Sequence, residues 1–75
     1  MEKVLDVIQK ATSKINVYES DNFIDDGLDS LDIIRLVAML EETFDVNIDG
    51  MDIVPENFEN AEAIANLLRR KGHEI

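Results

Sequence analysis

Three stretches of this sequence repeat their apolar residues every three or four positions, and that periodicity limits the fold more than any other feature. In the middle stretch Ile33, Leu36, Val37, Leu40 and Phe44 fall on one side of a helix that turns by about 100° per residue. Towards the N-terminus Val4, Leu5, Ile8, Thr12 and Ile15 do the same over residues 2–16, with Glu2, Lys3, Gln9, Lys10 and Lys14 around the rest of the wheel. Towards the C-terminus Ala61, Ile64, Ala65 and Leu68 form a third stripe over 61–71. Seventy-five residues make one domain, 1–75. A chain of that size buries roughly 60–65% of its unfolded surface. The expected architecture is all-α, a small four-helix bundle of three longer helices and one short helix.

Local signals place the boundaries. Residues 17–29 lose the helical period and read as a long loop anchored by Tyr18, Phe23, Ile24 and Leu28. The second helix should start at Ser30 and run to about Asp45. Asp29 is its expected N-cap, and Asp32 stands where a capping box needs its second member. "MDIV", residues 51–54, could form one short helical turn, and Pro55 blocks simple continuation. Asn60 should cap the last helix. Arg69, Arg70 and Lys71 suit its C-terminal dipole, and Gly72 should end it.

The formal net charge is −10, from 17 acids against 7 Lys and Arg. Nucleic acid is not an expected partner, because phosphate neutralisation needs Lys and Arg. Stable membrane insertion is not expected either, since the apolar runs are only a few residues long. "MEKVLDVIQK" has no apolar core like that of a signal peptide, so the expected location is the cytoplasm and the expected state a monomer. The charge serves solubility, or steers the chain onto a basic partner. With no cysteine, the chain has neither disulfides nor a thiol of its own.

Leu31, Ile34 and Ala38 lie almost opposite the core stripe of the second helix, flanked by Arg35, Glu41 and Glu42. They either touch the loops or form an exposed apolar strip ringed by charge, which has the layout of a binding site. The second reading is preferred. Ser30 stands at the margin of that strip, within "DDGLDSLDIIRL". It could serve as a plain polar residue at a helix start. As an enzyme nucleophile it would need a base. The one histidine, His73, is expected to be a solvated tail residue, and there is no Gly-x-Ser-x-Gly elbow, so no catalytic residue is assigned. A third role is covalent attachment of a phosphate ester, which the positive end of a helix dipole tolerates.

Taken together, "GLDSLDIIRLVAMLEETFDVNI", "IVPENF" and "ENAEAIANLL" resemble the acyl carrier proteins, also called phosphopantetheine-binding carrier domains, over essentially the whole chain. The resemblance implies that Ser30, with Asp29 and Leu31 beside it, carries 4′-phosphopantetheine. A phosphopantetheinyl transferase would transfer the group from coenzyme A using Mg²⁺, and its thiol would hold an acyl or aminoacyl group as a thioester. It further implies a non-catalytic protein whose partner face comprises Leu31, Asp32, Ile34, Arg35, Ala38, Glu41 and Glu42. Loading ligases and synthases of fatty-acid, polyketide, nonribosomal-peptide or D-alanine-transfer systems would meet that face. Arg35 departs from the resemblance, since carriers of fatty-acid synthesis usually present an acid there.

A rival motif lies in "DVNIDGMDIVPE", which fits the EF-hand pattern with Asp45, Asn47, Asp49 and Glu56 as side-chain ligands and Gly50 at the turn. Its context is poor. Val46 and Ile48 alternate with Phe44 as core anchors, Asp52 stands where paired loops need an apolar residue, and no second loop exists. No dedicated calcium site is therefore expected. Met39 and Met51 read as core or rim fillers, and Tyr18 and Phe23 as loop anchors that could instead line a cavity for an acyl group.

Overall fold

The computed structural model describes residues 1–73. Three α-helices carry the fold: α1 (Glu2–Ala11), α2 (Ser30–Phe44) and α3 (Ala61–Arg70). Two single turns of 3₁₀ helix, Gly50–Asp52 and Pro55–Asn57, lie between α2 and α3. There is no strand among the described residues. The short fourth helix of the expected bundle is thus two turns. The first overlaps the expected segment. The second begins at Pro55, which lacks an N–H and is pre-set for a first helical position.

α1 packs against both α2 and α3, and α3 packs against the Pro55–Asn57 turn. The enclosed core runs from Val4 and Ile8 through Phe23, Leu36, Leu40 and Phe58 to Ile64, Leu67 and Leu68. Val46 and Met39 pack at its edge, and Ile48 is buried, as the alternation with Phe44 implies.

α1 ends five residues earlier than its apolar period suggests. At Thr12 the backbone turns extended (φ −142°), and the cause is Gln9. Its amide donates to the carbonyls of Thr12 and Ile15 at 3.0 Å each, and its Oε1 accepts the Val17 N–H at 3.1 Å. Those bonds replace the helical ladder while still burying Ile15 and Val17. The buried face of α1 is Val4, Val7, Ile8 and Ala11, and Leu5 is only half-buried.

The long loop is held by its anchors. The Phe23 N–H donates to Glu59 O at 2.7 Å and the Leu28 N–H to Phe23 O at 2.8 Å. Tyr18 is not one of these anchors: it is 57% exposed, and its hydroxyl donates to Asp6. α3 begins where Asn60 Oδ1 accepts the Ala63 N–H. It closes with Gly72 at φ +92°, the His73 N–H donating to Leu68 O and the Gly72 N–H to Arg69 O, the bond pair of a Schellman cap. His73 is not a solvated tail residue. It is half-buried, with its ring edge-on to Phe44 at 4.9 Å between centroids.

Candidate functional site

Ser30 is the first residue of α2 and is exposed. Asp29 before it is the N-cap: its side chain accepts the Asp32 N–H at 3.0 Å, and Asp32 in turn accepts the Asp29 N–H at 3.3 Å. The capping box therefore closes on either side of Ser30 without using its hydroxyl. At a helix start the first N–H groups have no carbonyl four residues back, and the dipole end there is positive. Gly27, with φ +119°, supplies the left-handed bend that leads the loop into this start.

Of the acids around Ser30, Asp32 does not lie on the surface. It is 3% exposed, which corrects its place on the expected partner face. Its carboxylate is turned inward to the Asp29 N–H and to Lys14, whose Nζ is 3.2 Å away. Asp29 is hydrogen-bonded to the same ammonium, which, together with the Asp32 N–H, holds its carboxyl down at about 2. The Lys14 ammonium is raised in turn, first by its bond to Asp29. Asp26 accepts the Ser20 hydroxyl.

The second face of α2 is exposed where the sequence places it. Leu31 is 59% and Ile34 60% exposed, and Ala38, Arg35 and Glu42 are exposed with them. Glu41 belongs to this face only in part, since it is half-buried and its Oε2 accepts the Ile48 N–H at 2.9 Å. Ile33, assigned to the core stripe, is half-buried. Together with Ser30, Ile34, Ile53, Val54 and Pro55 it lines an apolar groove of about 220 Å³. Met51, 90% exposed, and Ile53 extend the apolar surface onto the loop after α2. Periodicity cannot find these two, because they lie outside any helix long enough to have a face. Phe23 is in the core at 1% exposure, so neither it nor Tyr18 lines this groove.

Within the rival motif, Asp49 and Asp52 are engaged by Lys71, and Asp45 serves as a helix end. Asp45 ends α2 in the left-handed conformation (φ 52°), which Asp tolerates better than most residues. Across the Gly50–Asp52 turn the Asp49 N–H donates to Asp52 Oδ2 at 3.2 Å, and the Asp52 N–H donates to Asp49 O at 3.0 Å. Lys71 is ion-paired with Asp52 and lies 3.7 Å from Asp49 Oδ2, so Asp52 is held below the usual carboxylate range, first by Lys71. No group of three or more His, Asp or Glu is placed to hold a metal among the described residues. Titration calorimetry with Ca²⁺ is expected to show no one-to-one binding in the micromolar range of sensor loops. A tight isotherm that is lost in Glu56→Gln contradicts that expectation.

A 15-residue amphipathic helix, capped just before an exposed serine and flanked by an apolar groove, is the layout of a carrier domain. The model of the phosphopantetheine attachment site family matches residues 2–68, and the chain belongs to that family. It is a carrier, and the prosthetic group of such carriers is 4′-phosphopantetheine. The chain is 40% identical to the acyl carrier protein of Bdellovibrio bacteriovorus over 73 residues, 93% of this chain and 91% of that one. It is 43% identical to the acyl carrier protein of Syntrophobacter fumaroxidans over 53 residues, 67% and 65% of the two chains. Aminoacyl carrier protein 2 of Bradyrhizobium diazoefficiens is 28% identical over 65 residues, 87% of this chain and 73% of that one. No solved structure matches with comparable significance. No helix among the described residues is long and apolar enough to cross a membrane.

Proposed function

We propose that Ser30 is the attachment residue and that the chain is a non-catalytic carrier, tethering acyl or aminoacyl groups and presenting them to loading ligases and synthases. The observation that carries this reading is the exposed hydroxyl at the first position of α2, outside a closed capping box and beside an apolar groove. The names of the relatives, acyl and aminoacyl carrier proteins, support it. When bound, the prosthetic group supplies a terminal thiol for thioester formation, chemistry the cysteine-free chain lacks.

The chain's own residues do the rest. Asp29 and Asp32 hold the helix start open at Ser30. Ile33, Ile34, Ile53, Val54 and Pro55 offer an apolar wall to whatever is tethered. Leu31, Ile34, Arg35, Ala38 and Glu42 form the partner face, extended by Met51. The test is incubation with coenzyme A, Mg²⁺ and a phosphopantetheinyl transferase, followed by intact mass. The expected gain is roughly 340 Da, and no gain contradicts the reading.

Arg35 bears on the pathway. Its side chain is 61% exposed and lies 3.9 Å from an Asp32 carboxylate already bonded elsewhere, so its charge remains available to a partner. Like-charge contacts weigh heavily in partner choice. Arg35→Glu is expected to leave folding nearly unchanged, to weaken loading by a dedicated ligase or synthase, and to improve recognition by fatty-acid enzymes. The measurement is kcat/KM for both enzyme classes with parent and variant. Equal responses would make Arg35 a bystander.

A further inference from the structure

Lys14 lies in the turn after α1, 15 residues before Asp29, yet its ammonium sits at the N-terminus of α2. Nζ is 2.5 Å from Asp29 Oδ2 and 3.2 Å from Asp32 Oδ2. The turn that carries it is fixed in its own right. Thr12 Oγ1 accepts the Lys14 N–H at 3.2 Å, and Gln9 ties down Thr12, Ile15 and Val17. The two carboxylates that Lys14 holds are the cap before Ser30 and its reciprocal partner two residues after it.

This placement has an electrostatic consequence. Coenzyme A brings several negative charges to the Ser30 hydroxyl, and carboxylates beside that hydroxyl repel them unless a cation offsets the repulsion. Arg35, the only basic residue of α2, is 3.9 Å from Asp32 and makes no ion pair with Asp29. Lys14 is the cation that faces both carboxylates.

We infer that Lys14 is a positioning residue for phosphopantetheine transfer: it braces the capping box that presents Ser30 and neutralises the carboxylates flanking it, so that the phosphates of coenzyme A can approach. The inference rests on Ser30 as the attachment residue. In the transfer a bond forms between Ser30 Oγ and the phosphorus next to pantetheine. The pyrophosphate P–O bond breaks, adenosine 3′,5′-bisphosphate leaves, and a base on the transferase takes the serine proton. Lys14 takes no part in these bond changes.

The test uses the full chain, coenzyme A and a purified phosphopantetheinyl transferase, with kcat and KM for the carrier measured separately. Lys14→Met is expected to lower kcat about fivefold, the scale of a pair of exposed ion pairs, without raising KM. Lys14→Arg restores most of the rate, because a guanidinium can bridge the same carboxylates. In an Asp29→Asn background, where Asn still caps the helix, the Lys14→Met change costs about twofold or less. A purely structural lysine behaves differently: partial unfolding lowers the concentration of competent carrier, raising apparent KM and leaving kcat alone. An unchanged kcat in Lys14→Met overturns the inference, as does an undiminished loss in the Asp29→Asn background. Failure of the Ser30 assignment is distinguishable, since it appears as no mass gain in the parent or as a gain that persists in Ser30→Ala.

Discussion

Ser30→Ala is expected to fold like the parent and to gain no mass from coenzyme A and a phosphopantetheinyl transferase. Both halves of that result follow from the helix start. The cap is Asp29, not Ser30, and its reciprocal bond with Asp32 survives the change. Alanine is at least as good a helix former as serine, and the site is exposed, so the stability change should stay within about 0.5 kcal/mol. The loss of modification should be complete, because neither other serine resembles the site. Ser13 lies in the bend after α1, and the Ser20 hydroxyl is bonded to Asp26. Modification persisting in Ser30→Ala defeats the assignment.

Phe58→Ala is expected to be the most damaging single truncation in terms of stability. Phe58 belongs to no α-helix, yet it is fully buried in the core. It follows the Pro55–Asn57 turn and precedes Glu59, whose carbonyl accepts the Phe23 N–H. Its side chain belongs to the one core cluster that takes in Phe23 of the long loop and residues of all three α-helices. Removing a buried Phe side chain typically costs about 3–5 kcal/mol, a large share of the roughly 5–15 kcal/mol that stabilises a domain. The midpoint of urea unfolding should fall sharply, whereas Met51→Ala, at an exposed position, should hardly move it. A loss below about 1 kcal/mol for Phe58→Ala contradicts this account of the core.

Most of what positions the site was legible in the residues. Asp29 and Asp32 at capping-box spacing mark the start of α2, Asn60 marks the start of α3, and Gly72 its end, because caps are short-range chemistry. The opposed apolar faces of α2 were legible for the same reason: Leu36 and Leu40 point in while Leu31 and Ile34 point out, as helical geometry requires.

What escaped the sequence depends on partners far apart in the chain. The early end of α1 is set by Gln9, whose side chain reaches Val17. Asp32 looks like surface charge until its bonds to Lys14 and the Asp29 N–H draw it inward. The groove wall formed by Ile53, Val54 and Pro55 belongs to a loop between short turns, where periodicity has nothing to act on. The EF-hand pattern matches letter for letter, but Asp49 and Asp52 within it face Lys71, 22 and 19 residues further along the chain.

The central claim, that the carrier arm is borne by Ser30, is tested most directly by locating the added group in the parent protein. After transfer from coenzyme A, fragmentation mass spectrometry of the intact chain should place the whole gain of roughly 340 Da on Ser30, with every fragment that ends before it unshifted. The same gain found on Ser13, Ser20 or any other residue would contradict the account.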